Sequence, residues 1–266
     1  MPYLFNHLES IETTLRQLPS ALITDVDGTI SQTAPTPEEA EVSPQCRHYL
    51  SLLCHRLFLV AAISGRPVTE VKEMVKVKRM VYIGNHGMEW WSGGRLKYVR
   101  GARKHQAVIN RVLEELTPFL SQTGICTENK GITATIHYRL SPDPEAFRQK
   151  LVTALKKSPQ TKYLRILPGK MSINILPLIA VNKGTAVTKL IGNYDLKGGT
   201  YLGDDITDID AFRAIHAASE SRGFHGFAIG ITGPEMPEKL SAEADFTMNG
   251  INDVGHFLRW LTEITL

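Results

Sequence analysis

The sequence predicts a doubly wound parallel α/β core interrupted by a smaller α+β domain. Three observations carry that prediction. Short apolar runs, ALITDV (21–26), LFLVAAI (57–63), MVYI (80–83), TYLG (200–203) and FAIGI (227–231), alternate with helical patterns, as buried parallel strands do. Between about 101 and 180 the grammar changes to helix–hairpin–helix–hairpin, which builds an antiparallel sheet with two helices on one face. The charge changes in the same place, with 12 Lys+Arg against 5 Asp+Glu in residues 101–180 and 18 against 22 elsewhere. The expected core is therefore 1–100 with 181–266, and the expected inserted domain is 101–180.

The elements follow in order. Leu4, Leu8, Ile11, Leu15 and Leu18 recur at helical spacing, and Pro19-Ser20 ends that helix before the first strand. Pro35, Pro37 and Pro44 make 31–44 a loop. Ser43-Pro44 then reads as an N-cap and first helical position, opening a helix to about His55. The second strand leads to a helix from Pro67 to about Lys76. The third leads to a hairpin whose arms, EWW and RLKYV, flank Ser92-Gly93-Gly94. In the insertion, helices are expected over 103–120 and 143–157. Hairpins are expected around Asn129-Lys130-Gly131 and Pro168-Gly169-Lys170. Helix signals resume near Asn182, again at 208–216, and from about Asp253 to the end.

Composition narrows the function classes. The 266 residues are 42% hydrophobic and 21% charged, an ordinary globular profile without collagen-like or coiled-coil bias. No apolar run approaches the ~18 residues of a membrane helix. Glu9, Glu12 and Arg16 lie within the first helical pattern, unlike the basic start and apolar stretch of a signal peptide. Cys46, Cys54 and Cys126 cannot all pair and show no CxxC spacing, so a reducing cytoplasm is expected. A net charge of +3 gives no argument for nucleic acid.

Four groups carry chemistry. Asp25 and Asp27, in DVDGT, follow the first strand, where open α/β sheets bind ligands, and alternation points them the same way. They can share a metal or a proton, although a surface Asp-Gly turn reads equally well from five residues. Ser64-Gly65-Arg66 follows the second strand, and its hydroxyl, free amides and guanidinium suit a phosphate; an N-cap serine with an exposed arginine is the competing reading. Lys183 opens a helix. Asp204, Asp205 and Asp208 crowd three carboxylates into five residues, an oxygen-only set that suits Mg²⁺, whereas the helix dipole would account for Asp208 alone.

The order of these groups resembles the haloacid-dehalogenase-like phosphatase superfamily, over about 20–90 and 181–266. The resemblance implies Asp25 as a nucleophile that becomes an aspartyl-phosphate, and Asp27 as the acid that protonates the leaving alcohol and then activates water. It implies Thr29, Ser64 and Gly65 on the phosphoryl oxygens and Lys183 stabilising their charge. Mg²⁺ would bind Asp25, the Asp27 carbonyl and Asp204, with Asp208 or Asp205 nearby.

GNHGME (84–89), Glu128-Asn129-Lys130, His137-Tyr138-Arg139 and GDDITDIDAF (203–212) are similar more narrowly to the trehalose-6-phosphate phosphatase family. That family inserts an α/β cap after the third core strand. Glu128, Lys130, Arg139 and Lys170 would then touch the sugar from the cap, with Arg66, His86 and Glu89 on the core side. The family's Glu-x-Arg-Pro run is here Asn174-Ile175-Leu176-Pro177, so Asn174 is the expected, uncharged sugar contact. A basic insertion suits a lid over an anionic substrate.

The expected partner is a small-molecule sugar phosphate, with no nucleic acid and no membrane, acted on by a monomer with Mg²⁺ as cofactor. Hydrolysis of another glycosyl phosphate, of the sucrose, glucosylglycerol or mannosylglycerate type, stays open beside trehalose 6-phosphate. A non-catalytic sugar-phosphate sensor and a phosphotransferase or mutase are the readings from other classes.

Overall fold

The computed structural model describes residues 1–221, 223–233 and 236–265. Its chain divides into two compact units: 1–34, 40–97 and 181–266 form one, and 35–39 with 98–180 form the other.

The larger unit holds strands β1 (Ser20–Thr24), β2 (Leu59–Ile63), β3 (Val81–Gly84), β4 (Glu89–Ser92) and β5 (Arg95–Tyr98, whose last residue falls at the unit boundary). Strands β10 (Gly198–Gly203), β11 (His225–Thr232) and β12 (Phe246–Asn249) complete its sheet, in the order β12-β11-β10-β1-β2-β3-β4-β5. Pairing is parallel from β12 through β3 and turns antiparallel at β4. Every residue of β1, β2 and β10 is buried, which explains why their sequences run apolar without alternation.

Side chains nevertheless divide by face with period two. Leu22 joins one core cluster with α1 (Leu8–Leu15), α2 (Pro44–Leu53), α3 (Val68–Val75) and α10 (Gly250–Ile264). Ala21 and Ile23 join the other, with α7 (Lys183–Asn193), α8 (Ile209–Ser221) and α9 (Glu238–Glu243). Helices therefore cover both faces, as an all-buried parallel sheet requires.

The smaller unit has strands β6 (Cys126–Asn129), β7 (Ala134–His137), β8 (Leu164–Gly169) and β9 (Ser172–Pro177), antiparallel in the order β6-β7-β9-β8. Ala134, Ile136, Ile173 and Ile175 pack against Ile109 and Val112 of α4 (Gln106–Glu115) and Phe147, Leu151 and Leu155 of α6 (Pro144–Lys157). The alternate residues Thr135, His137, Ser172 and Asn174 give the sheet a polar second face.

Several boundaries differ from the sequence expectation. The first helix is a 3₁₀ turn, Leu4–Asn6, followed by α1. The helix expected over 103–120 is a 3₁₀ turn, Ala102–His105, then α4 and the short α5 (Thr117–Leu120). Pro118 has no N–H to continue the α4 ladder, so a new turn starts there. The closing helix begins at Gly250 rather than Asp253. Strand β12 and helix α9 were absent from the expectation, since four- and six-residue segments carry too little periodicity.

Phe212 is fully buried in α8 and meets the Tyr201 ring edge-on, with centroids 5.9 Å apart. Phe212→Ala should lower the unfolding free energy by about 3–5 kcal/mol in urea denaturation. A loss below about 1 kcal/mol would mean that α8 collapses into the space without cost.

Candidate active site

Strand order sets the site. From β1 the chain winds through β2 and β3 on one side, and β10 returns it to the other side of β1. The crevice at the carboxyl ends of β1 and β10 is thus a topological switch point. Thr24 pairs with Leu202 and with Ala62, so Asp25, Asp204 and Ser64 all leave their strands at that edge.

At its centre lies Lys183. Its Nζ is 2.9 Å from Asp25 Oδ1 and 2.7 Å from Asp208 Oδ1, and all three side chains are buried. The lysine is placed by a reciprocal cap: Thr185 N donates to Asn182 Oδ1 at 2.8 Å, and Asn182 N donates to Thr185 Oγ1 at 3.0 Å. Asp208 accepts four bonds. Tyr201 OH and Lys183 Nζ donate to Oδ1, and the amides of Asp204 and Asp205 donate to Oδ2 at 3.1 and 3.0 Å. Thr29 Oγ1 donates to Asp204 Oδ1 at 3.0 Å. Gly28 has φ +84°, and a Cβ there would lie 1.9 Å from Asp204 Oδ2, so the DVDGT turn needs glycine for both reasons.

The electrostatics follow from burial. Desolvation, then the charges of Asp208 and Asp204, push the Asp25 carboxyl well above the usual range, and Lys183 offsets only part of this. Burial alone would weaken the Lys183 ammonium, but Asp208 and Asp25 outweigh it and hold the proton. Tyr201 is pushed up by burial and by Asp208, so it stays a donor.

Carboxylate oxygens of Asp25, Asp204 and Asp208 lie within 4.8 Å of one another. Three acids against one ammonium leave excess negative charge in a dry site, and an oxygen-only donor set suits a hard divalent cation such as Mg²⁺. The residues therefore fit a metal. Asp208, expected as a ligand, is one of the three, and each of its oxygens also accepts two donors.

The other expected residues fall as follows. Asp27 is held by Arg66: Nε lies 2.8 Å from Oδ2 and Nη2 lies 2.8 Å from Oδ1. Ser64 Oγ accepts the Arg66 amide at 3.1 Å, and Ser64 O accepts His86 N at 3.0 Å. The His86 ring lies over Gly65. Asn85 and His86 are both left-handed, with φ of 47° and 56°, and both are buried. Glu89, expected at the substrate, gives Oε2 to Val68 N at 2.8 Å and so caps α3.

Glu128, Lys130, Arg139, Lys170 and Asn174 belong to the smaller unit. There Glu128 Oε2 is 2.7 Å from His137 Nε2 and 3.3 Å from Lys130 Nζ. Asn174 Oδ1 accepts Thr135 Oγ1 at 2.8 Å. Arg139 follows β7 and its neighbour Tyr138, and Lys170 sits in the turn between β8 and β9. Sequence reasoning missed Tyr201 and Gly184. The first reads as ordinary strand core, and the second as a helix-start glycine.

A Cβ at Gly184 would lie 2.2 Å from Asp210 O, so α7 and α8 cross closely one residue from Lys183. Alanine usually favours a helix over glycine by ~1 kcal/mol. Here Gly184→Ala should instead destabilise by about 1–3 kcal/mol in urea denaturation and lower kcat, because α7 must shift with its lysine. Unchanged stability and kcat would show that the crossing is not tight.

The trehalose-phosphatase family is what the family model and several relatives point to. The trehalose-phosphatase family model matches residues 23–243. A probable trehalose-phosphate phosphatase 2 of Oryza sativa subsp. japonica is 30% identical over 247 residues, covering 82% of this chain and 64% of that protein. Probable trehalose-phosphate phosphatase D of Arabidopsis thaliana is 26% identical over 258 residues, covering 90% and 66%. The chain thus spans just under two thirds of the length of these relatives. In fold, it is similar to the C-terminal domain of a C. albicans trehalose-6-phosphate phosphatase, with a TM-score of 0.83, 21% identity and 99% of each chain covered. A trehalose-6-phosphate phosphatase related protein gives a TM-score of 0.76 at 21% identity, with 92% and 97% covered. With the family model matching most of its length, the chain belongs to the trehalose-phosphatase family.

Proposed function

We propose that the chain is a Mg²⁺-dependent phosphatase that hydrolyses trehalose 6-phosphate to trehalose and phosphate through an aspartyl-phosphate on Asp25. The observation that carries this reading is the Asp25 carboxylate held 2.9 Å from the buried Lys183 ammonium, beside Asp204. Phosphoryl transfer needs positioning and charge neutralisation above all.

In the first step an Asp25 oxygen attacks phosphorus, the bond to the sugar oxygen breaks, and Asp27 gives that oxygen its proton. In the second, Asp27 takes a proton from water, whose oxygen attacks phosphorus and releases Asp25 and phosphate. One hard displacement becomes two easier ones. Lys183 neutralises the phosphoryl oxygens, with Thr29, Ser64 and the Gly65 amide donating to them. Arg66 orients Asp27 through its fork, His86 and Asn85 hold the Ser64–Arg66 loop, and Glu89 caps the helix that follows it. Asp25, Asp204 and the Asp27 carbonyl would hold Mg²⁺, which when bound supplies charge neutralisation at the phosphoryl group. Glu128, Lys130, Arg139, Lys170 and Asn174 contact the sugar. Free Cys46, Cys54 and Cys126 suit a reducing compartment, the cytoplasm in this reading.

A second reading keeps the chemistry and changes the sugar. Asn174 stands where the family carries a glutamate, and its Oδ1 is already taken by Thr135. This favours a glycosyl phosphate that needs no charged contact there.

The test is Mg²⁺-dependent phosphate release from a panel of sugar phosphates. Asp25→Asn should lower kcat by more than ~10⁴-fold with the fold intact, and EDTA should silence the wild type. Preference for trehalose 6-phosphate by about 100-fold in kcat/KM, ~2.7 kcal/mol, supports the first reading. Activity spread over other glycosyl phosphates supports the second. No release from any substrate by the folded, Mg²⁺-supplied protein leaves a sugar-phosphate sensor.

A further inference from the structure

The larger unit has a second concave site, built on the far end of α3. The N-terminus of that helix follows the Ser64–Arg66 loop, and its C-terminus opens onto a cavity of about 540 Å³. Four cations line the cavity: Lys72 from the helix, then Lys76, Lys78 and Arg79 from the connection to β3. All four are exposed. Glu73 is the one acid among the lining residues.

Among the described residues these charges form no ion pair, and Glu73, the one acid that faces the cavity with them, pairs with no base. Nor does capping α3 occupy them. Its last carbonyls are taken by Arg47, whose Nε donates to Val75 O and whose Nη2 donates to Met74 O, each at 3.1 Å. Lys72 rests 4.0 Å from the Trp91 ring centroid, and Arg79 Nη1 reaches His55 Nδ1 at 3.1 Å, which leaves both charges uncancelled. Lys76 and Arg79 also adopt left-handed backbone, with φ of 54° and 68°. Non-glycine residues hold such angles at a cost.

The floor differs from the rim. Val77, Met80 and Tyr82 are buried there, and Tyr82 OH is tied to Val77 N at 3.1 Å. A buried apolar base under four like charges suits an anion, which would relieve their mutual repulsion. The volume falls within the range of small-molecule sites, about 300–1,000 Å³. A long polyanion would need a basic stripe, and the whole chain carries a net charge of only +3.

We propose that this cavity binds a small phosphate-bearing polyanion, at a site separate from the Asp25 centre. Lysine ammoniums act as point charges on its oxygens, and the Trp91–Lys72 edge bounds it on one side. The ligand would bear on α3, the helix whose first amide is held by Glu89.

The test is calorimetric titration of the full chain with pyrophosphate, and separately with orthophosphate, in EDTA at low ionic strength. The Lys72→Gln/Lys78→Gln protein is titrated in parallel. Any binding at the Asp25 centre is common to both proteins, so the difference belongs to the cavity. Affinity should fall by about tenfold or more in the variant, with phosphatase kcat/KM unchanged within about twofold. Tighter binding of pyrophosphate points to a ligand with two phosphates, and equal binding points to free phosphate. Identical isotherms in the two proteins, or none in either, overturn the proposal. Should the double variant fail to fold, Lys76→Asn, which suits the left-handed angle, gives the same comparison.

Discussion

One ammonium organises the centre of the larger unit. Lys183 is buried, and a buried charge costs several kcal/mol unless it is paired and hydrogen-bonded. Asp25 and Asp208 supply that pairing from the ends of different elements. Asp208 can hold its place only because Tyr201 OH and the amides of Asp204 and Asp205 complete its bonds. Asp204 is placed in turn by Thr29 and by the missing Cβ of Gly28. Removing Lys183 itself would leave the buried carboxylates of Asp25 and Asp208 uncompensated, at a cost of about 3–5 kcal/mol. The same geometry leaves the cluster over-supplied with carboxylate, which is the physical reason a divalent cation suits it.

Much of this was legible in the sequence because parallel strands announce themselves. Five short, largely apolar runs, each breaking off into polar residues or glycine, placed the strand exits. The switch-point rule then placed Asp25 and Asp204 at one edge. What the sequence could not show was which neighbour takes each polar atom. Arg66, read as a phosphate contact, forks onto Asp27. Glu89, read as a sugar contact, also caps α3. Asp208, read as a metal ligand, also anchors Lys183 and Tyr201. The partners lie 3–39 residues away in the chain, and those of Arg66 and Glu89 meet only after the strands have paired. Tyr201 left no signal at all, since an aromatic in a buried strand is ordinary core and only its hydroxyl marks it out.

The loop at Asn85 and His86 shows where the fold holds strain. Two successive non-glycine residues are left-handed there, and the loop is stitched to the Ser64–Arg66 loop by Asn85 N to Arg66 O at 2.7 Å and His86 N to Ser64 O at 3.0 Å. A strained conformation persists only where its surroundings over-determine it. Here the stitching fixes the amides and hydroxyl that would face a phosphate, so they need little reorganisation when charge develops.

The basic surplus of 101–180 has a different meaning once its charges are located. Lys156 and Lys157 occupy the last turn of α6, where they complement the helix dipole. Arg148 pairs with Glu145, Arg103 lies 5.2 Å from the Tyr98 ring centroid, and Lys162 lies 4.9 Å from that of Tyr163. Lys130 is matched by Glu128, which His137 shares. Of these, Lys130 and Arg148 are offset by carboxylates, so the charge count overstates the field such a domain can offer a phosphate. The polar sheet face bearing Thr135, His137, Ser172 and Asn174 presents chiefly neutral donors and acceptors. Under the proposed function, such a face would discriminate among sugars through hydroxyl geometry, because an unmatched polar group is costly once buried. In the proposed reading, Asn174 would change which hydroxyls are read and leave the phosphoryl chemistry untouched.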